Sequence, residues 1–355
     1  MSNTELYKRY RPTRWDEIIG QDRVVSSLKA AVRTHKWPTG YWFFGERGTG
    51  KTTSALILAK AINCENPPGD GNPCNACDTC LSIDEGSQIG VTYVSGANEG
   101  GVDNIRDLTD KAMRRQAIPT PVFIIDEAHN LSPSAFDAML IPVENPHMQS
   151  LFILCSTERI RSKTIQSRFQ GRTFRLVPPD VMTPYLHDVC RRENLDLNEA
   201  IIDTAVRLGH GSVRDTLTCL DSAIATGDVS AMTTPYDVRM IDAVAHRDVG
   251  GIVSLVREAS EDGMDGQLLL EQVSADLCDV LMFDVGKPEP LLQMMDRGHA
   301  DDVVRLMYGR QGVMMAVRKI GSALHTVASG ADPDVFAQIT FLDIVAALSH
   351  KDKAQ

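Results

Sequence analysis

The sequence predicts an α/β domain built on a parallel sheet with right-handed crossovers, followed by an all-helical remainder. Three observations carry this. Gly45-Glu46-Arg47-Gly48-Thr49-Gly50-Lys51-Thr52 fits the P-loop pattern G-x-x-x-x-G-K-[ST], entered from an apolar run at 41–44 and left through helically spaced apolar residues at 53–61. Residues 121–129 and 150–157 are nearly continuous apolar runs ending on carboxylates and on hydroxyls, as strands buried on both faces do. Beyond Pro178-Pro179 the pattern turns helical.

Taken in order, residues 5–20 read as an irregular segment with aromatics and a proline, and 21–36 as an amphipathic helix with Val24, Val25, Leu28, Ala31 and Val32 on one face. In the P-loop, glycines at 45, 48 and 50 let backbone N–H groups turn toward phosphate oxygens, and the positive end of the next helix points at the same anion. Lys51 is expected on the β/γ-phosphates and the Thr52 hydroxyl on Mg²⁺. A second strand is expected at 91–94, a loop at 95–101, and a helix from 102 to 115. Asp126 and Glu127 close the next strand. Asp126 is placed to hold magnesium and Glu127 to polarise a water, the alternative being a capping pair before the next helix. Thr157, at the end of the strand beside it, is either a γ-phosphate contact or a turn residue. Residues 172–177 are expected to close the sheet. Helices follow at 181–193, 198–209 and 212–226, and from 236 onward every segment is helical and rich in methionine. Met294, Met295, Met307, Met314 and Met315 read as helix packing, not as a cofactor box.

Between the P-loop helix and the second strand stand Cys64, Cys74, Cys77 and Cys80, spaced C-x9-C-x2-C-x2-C with Pro and Gly filling the gap. Four thiolates on a tight loop suit a closed tetrahedral Zn²⁺ site that stabilises folding; an iron–sulfur cluster accepts the same donors. Cys155, Cys190, Cys219 and Cys278 stand alone in apolar or helical surroundings and read as free thiols.

The chain has 355 residues, 43% of them hydrophobic and 23% charged, which suits two or three folded domains. No apolar run of about 18 residues is present, and the start lacks a signal-peptide core, so a cytoplasmic protein with no membrane span is expected. The net charge of −11 argues against a surface that binds nucleic acid everywhere. Basic residues nevertheless cluster at 8–14 and at Arg159, Arg161, Lys163, Arg168, Arg172 and Arg175, which suggests local anion contacts.

These residues together resemble the gamma/tau family of bacterial DNA polymerase III clamp-loader subunits, ATPases of the AAA+ class. The resemblance rests on Tyr10-Arg11-Pro12, Gly20-Gln21, the P-loop with the four-cysteine insert after its helix, Asp126-Glu127-Ala128-His129, Ser167-Arg168, and Gly211-Ser212-Val213-Arg214-Asp215, and it covers the chain to about residue 350. It implies an AAA+ domain over 1–178 with a zinc module at about 64–80, a helical lid at 179–235 and a helical collar at 236–355. ATP would be bound by Arg11, Pro12, Ile19, Gly45, Gly48, Thr49, Gly50, Lys51, Thr52, Thr53 and Arg214, with Mg²⁺ on Thr52 and Asp126. Thr157 would act as sensor 1, Arg214 as the sensor 2 arginine in cis, and Arg168 as an arginine finger reaching a neighbouring subunit. The implied function is ATP-driven loading of a sliding clamp onto primer-template DNA, by a ring of about five subunits that includes delta-like and delta-prime-like partners and copies of this chain. The length is that expected of a short form, cellular or phage-encoded. Another AAA+ ring acting on DNA, in branch migration or repair, and a scaffold clamp-loader subunit are the alternatives. Two departures from the family stand out. Phe169 follows Ser167-Arg168 where relatives carry Cys, and Asn98-Glu99-Gly100-Gly101 replaces a loop that is basic in relatives, although Arg106 is kept.

Overall fold

The computed structural model describes residues 5–86, 90–113, 118–145, 149–160, 162–195, 197–226, 236–284 and 297–352. Arg161, Met294 and Met295, and the expected helix end at Arg115, lie outside them. By internal contacts the chain divides into two units, one of residues 1–177, 184–189 and 211–221, the other of 178–183, 190–210 and 222–355. Among the described residues no helix is long and apolar enough to cross a membrane.

The first unit opens with a short turn of helix, α1 (Leu6–Arg9), then α2 (Asp22–Thr34), β1 (Gly40–Phe44), α3 (Lys51–Asn63), α4 (Asp78–Asp84), β2 (Val91–Ser95), α5 (Gly96–Glu99) and α6 (Val102–Met113). It continues with β3 (Val122–Asp126), α7 (Pro133–Glu144), β4 (Leu151–Ser156), α8 (Lys163–Arg168) and β5 (Gln170–Thr173). Next in the chain come α9 (Pro179–Glu193) and α11 (Val213–Thr226), each divided between the two units, and between them α10 (Glu199–Leu208), which belongs to the second. α2 buries Val24, Leu28 and Val32, one face at a spacing of four, and stops where His35 takes a left-handed conformation at φ 51°. α7 starts on Ser132, whose hydroxyl accepts the Ala135 N–H, with Pro133 in the first turn.

Among the described residues five strands form one all-parallel sheet, in the order β2-β3-β4-β1-β5. Successive residues of β3 and β4 enter different cores. Ile124, Ile153 and Cys155 pack with the α2 and α3 side, while Phe123, Ile125, Phe152 and Leu154 pack with the α6, α7 and α8 side. Burying such a side chain fully contributes about 1.5–3 kcal/mol, more than the roughly 1 kcal/mol that strand propensity spans. Two-sided burial, not propensity, therefore sets these strands. Phe123 and Phe152 stack at 5.2 Å across β3 and β4.

Two expectations need correction. The closing strand begins at Gln170, two residues before the expected start, and ends at Thr173, because it is bounded by its pairing with β1, in which Gln170–Thr173 lie opposite Tyr41–Phe44. The expected loop after β2 contains a helical turn, α5, and its first residue, Gly96, runs so close to the chain leaving β3 that a Cβ there would lie 2.6 Å from the Glu127 carbonyl oxygen.

The second unit carries α12 (Tyr236–Ala245), α13 (Val249–Glu261), α14 (Gly266–Asp284), α15 (Arg297–Leu306), α16 (Arg310–Ala328) and α17 (Pro333–Asp352) around one apolar core. Leu269, Val273, Leu277 and Val280 of α14 meet Val313, Ala316 and Ile320 of α16 and Phe341 of α17 in it. Met307 is fully buried and Met315 packs on this core, as expected; Met314 instead is 39% exposed.

Candidate functional site

Strand order and register bring four chain segments to one edge of the sheet. β1 ends opposite Ser156 of β4, and Asp126 of β3 lies opposite Ser95 of β2, so the P-loop, Asp126, Thr157 and the β2 end share the C-terminal edge, where open parallel sheets place ligands. The loop leaves β1 through Gly45, whose N–H donates to the Ser156 carbonyl at 3.2 Å. A Cβ on Gly45 would meet the Phe174 carbonyl oxygen at 2.2 Å; one on Gly48, at φ 72°, would lie 1.9 Å from Ser212 Oγ. Both positions require glycine.

Lys51 opens α3 and is 7% exposed. Its Nζ donates to the Gly45 and Glu46 carbonyl oxygens, each at 2.7 Å, so the ammonium is folded against its own loop. Burial lowers its pKa, opposed by the nearby Cys155 and Asp126. One residue on, Thr52 Oγ1 donates to Asp126 Oδ2 at 2.8 Å, which joins the P-loop hydroxyl and the acidic strand without a bridging group. The same Oδ2 accepts the Tyr93 hydroxyl at 2.7 Å, and Oδ1 accepts the Glu127 N–H at 2.9 Å. Glu127 itself sits in the left-handed region at φ 49°, an uncommon conformation for a non-glycine residue, which turns the chain out of the strand.

A cavity of about 800 Å³ opens over this edge, within the size range of small-molecule sites. Of the sequence-predicted nucleotide set, Arg11, Pro12, Ile19, Gly48 to Thr53 and Arg214 line it, together with Asp126, Glu127 and Thr157. Gly45 does not; it lies behind the loop against Phe174. Arg168 does not either: at the end of α8 it is 37% exposed, pairs with Glu144 of α7 and donates to the Thr164 carbonyl oxygen at 3.2 Å. Arg214 stacks over the Tyr7 ring at 4.8 Å, both residues lining the cavity. Tyr7 and Tyr93 were not legible in the sequence. Neither belongs to a motif, and each is recruited by a partner distant in the chain.

The four-cysteine loop forms a separate cluster. The sulfurs of Cys64, Cys74, Cys77 and Cys80 lie within 4.8 Å of one another. A tetrahedral zinc site with bonds of about 2.3 Å spaces its sulfurs by about 3.8 Å, so the donors fit with a small contraction. N–H groups of Ala76 and Cys77 point at Cys74 Sγ at 3.4 and 3.3 Å and lower that thiol to about 6, while the Cys74 N–H points at Cys64 Sγ at 3.2 Å. Burial raises Cys80. A buried thiol of this kind ionises readily only beside a cation. The residues therefore fit Zn²⁺. Lys60 of α3, 2% exposed, pairs with Asp84 at 2.8 Å and so ties α4, the helix that carries Cys80, to α3.

A P-loop on β1, an acidic strand two places along and a parallel five-stranded sheet define the class as α/β P-loop proteins. The family model described as "DNA polymerase III, delta subunit" matches residues 20–178. The DNA polymerase III subunit tau of Bacillus subtilis strain 168 is 32% identical over 319 residues, 86% of this chain and 56% of that protein. The gamma/tau subunit of Mycobacterium tuberculosis H37Rv is 35% identical over 73% of this chain and 48% of its own length, and the tau subunit of Escherichia coli K12 is 29% identical over 77% and 44%. The chain belongs to the DNA polymerase III gamma/tau family, and it spans about half the length of the curated relatives it matches. Solved structures align less well. The B. subtilis clamp loader delta protein gives a TM-score of 0.41 at 9% identity over 90% of this chain and 99% of that one. The Thermotoga maritima RuvB Holliday junction branch migration motor gives 0.47 at 16% over 66% and 79%. Neither value ranks one above the other.

Proposed function

We propose that this chain is an ATP-driven motor subunit of a sliding-clamp loader, which opens a processivity clamp and loads it onto primer-template DNA. The observation that carries the reading is the direct pairing of Thr52 with Asp126 beneath a cavity floored by the P-loop. Those are the two groups that hold magnesium in P-loop ATPases, and the family to which the chain belongs supplies the biological setting.

In this reading Lys51 exchanges its two carbonyl acceptors for β/γ-phosphate oxygens when ATP enters, and the N–H groups of Gly48 to Thr53 surround the phosphates. Thr52 and Asp126 hold Mg²⁺. When bound, that ion offsets charge developing on the phosphates. Glu127 orients the attacking water from its turned-out position, and Thr157 contacts the γ-phosphate or that water. Arg214 reads the γ-phosphate in cis, while Arg11, Pro12 and Ile19 close over the nucleoside. Arg168, which lies outside the cavity lining, serves as a finger toward the site of a neighbouring subunit; such a group is worth about 10³–10⁵ in rate. Hydrolysis is then conditional on assembly, because no subunit completes its own site. Residues 179–235 act as the lid and 236–355 as the collar of a five-membered ring with delta-like and delta-prime-like subunits. Cys64, Cys74, Cys77 and Cys80 hold a structural Zn²⁺ with no open ligand position.

The test is steady-state ATP turnover, alone and with a cognate clamp plus primed DNA, with delta-type partners supplied. Stimulation that requires both clamp and primed DNA is the expected result. Stimulation by duplex or junction DNA without a clamp would overturn the reading in favour of a branch-migration motor.

A further inference from the structure

The cysteine loop and the wall of the cavity meet through a short, heavily bonded segment. Arg11 and Pro12 line the cavity on one side of residues 13–16, and Glu17, Ile18 and Ile19 line it on the other. The four residues between them are each gripped by the loop. Asn75 Nδ2 donates to the Thr13 carbonyl oxygen at 3.2 Å, and Arg14 faces Asp70 at 3.7 Å. The Trp15 N–H donates to Asn72 Oδ1 at 2.8 Å, and its indole Nε1 to the Gly71 carbonyl oxygen at 2.9 Å. Asp16 accepts Asn72 Nδ2 at 2.8 Å. Trp15 and Asn72 are both fully buried.

Glu17 finishes the structure from the cavity side, its Oε2 accepting the Thr13 and Arg14 N–H groups at 2.7 and 3.1 Å. The loop residues that do the gripping have little order of their own. Between Cys64 and α4 the chain has no regular secondary structure, and fixing each such residue costs about 1–2 kcal/mol of backbone entropy. Asp70 holds Asn72 locally, its Oδ1 accepting the Asn72 N–H at 2.8 Å and its Oδ2 accepting Nδ2 at 2.7 Å, and the converging sulfurs close the stretch beyond it: Cys74 and Cys77 flank Asn75, and Asn72 stands two residues before Cys74.

We infer that residues 70–75 of the cysteine loop position the nucleoside-binding wall at 11–19, so that metal occupancy of the cluster and nucleotide affinity are coupled. The inference rests on the proposal that the cavity binds nucleotide. Coupling of this kind is reciprocal: the metal orders the loop and tightens nucleotide binding, and the nucleotide holds the wall and slows loss of the metal. The P-loop does not depend on the loop in this way. A ligand with phosphates and no nucleoside should therefore escape the coupling.

The experiment compares ADP with inorganic tripolyphosphate. Zinc release from the purified chain into excess chromophoric chelator is timed with neither ligand, with saturating Mg-ADP and with saturating tripolyphosphate. Binding of both ligands is then measured on the parent and on Asn72→Leu. We expect ADP to slow zinc release about tenfold and tripolyphosphate to leave it unchanged, in the usual 5–150-fold range of coupling. Asn72→Leu should weaken ADP about tenfold while tripolyphosphate binds as before. Equal release rates with and without ADP, or a purified chain that holds no zinc, would overturn the inference. So would equal weakening of both ligands, which marks a merely structural asparagine. A variant that fails to fold leaves the release rates of the parent to decide. A parent chain that binds tripolyphosphate but no adenine nucleotide would refute the nucleotide reading itself.

Discussion

Tyr93 and Thr52 donate to the same carboxylate oxygen, Asp126 Oδ2, at 2.7 and 2.8 Å. Burial, reinforced by this hydrogen bond, raises the Tyr93 pKa and keeps the phenol a neutral donor. The oxygen proposed for magnesium is therefore already shared. Tyr93→Phe removes one competitor, and a net hydrogen bond is worth about 0.5–1.5 kcal/mol. The variant should reach half-maximal turnover at a magnesium concentration roughly two- to tenfold lower. A magnesium titration identical to that of the parent would show that Tyr93 does not compete.

Lys51 donates to two carbonyl oxygens of its own loop, each at 2.7 Å. Lys51→Ala should abolish ATP turnover and weaken ATP by about tenfold or more. Hydrolysis at the parent rate would refute the assignment of this loop.

Gly48 combines a positive φ with a position where an added Cβ would lie 1.9 Å from Ser212 Oγ. Gly48→Ala should weaken nucleotide binding. The double variant Gly48→Ala with Ser212→Gly should recover only part of the loss, because the left-handed conformation still costs a Cβ about 1–2 kcal/mol. Full recovery would mean that the clash alone matters; no recovery, that the two residues do not interact.

Arg168 pairs with Glu144 within its own chain and lies outside the cavity lining. Arg168→Ala should leave the ATP dissociation constant of the isolated chain unchanged and cut turnover of the assembled complex by about 10³ or more. Unchanged stimulated turnover would remove the finger role.

In the helical unit Asp276 is 7% exposed and neighbours Asp237, whose Oδ1 accepts the Val238 N–H at 2.9 Å. Burial, then the charge of Asp237, raises the Asp276 carboxyl from 3.8 to about 9. Because the folded state holds this proton more tightly, the stabilising contribution is complete below about pH 4 and is lost as pH climbs toward 9. Asp276→Asn removes that dependence. Its melting temperature relative to the parent should rise between pH 5 and pH 8 by several degrees, at about 2–4 °C per kcal/mol for a unit of this size. A difference that does not change with pH would contradict this account.

What the sequence determined by itself was everything whose cause is local. The P-loop, α3 and the ends of β3 and β4 were legible because glycine spacing, a lysine before a hydroxyl and continuous apolar runs state a backbone path directly. The cysteine spacing likewise announced a cluster, and the sulfurs converge. Membership of the gamma/tau family was legible for the same reason, since its signatures are short contiguous strings. The tertiary structure decided the rest. Arg214 finds Tyr7 across the fold, Trp15 finds Asn72 57 residues away, and Tyr93 finds Asp126 because β2 pairs with β3 in one register. The early start of β5 and the helical turn at Gly96–Glu99 belong with these. No periodicity encodes such partners. A strand pattern states which residues are buried, but which strand lies beside it, and in what register, is settled only when the whole sheet closes its hydrogen bonds and its two cores together.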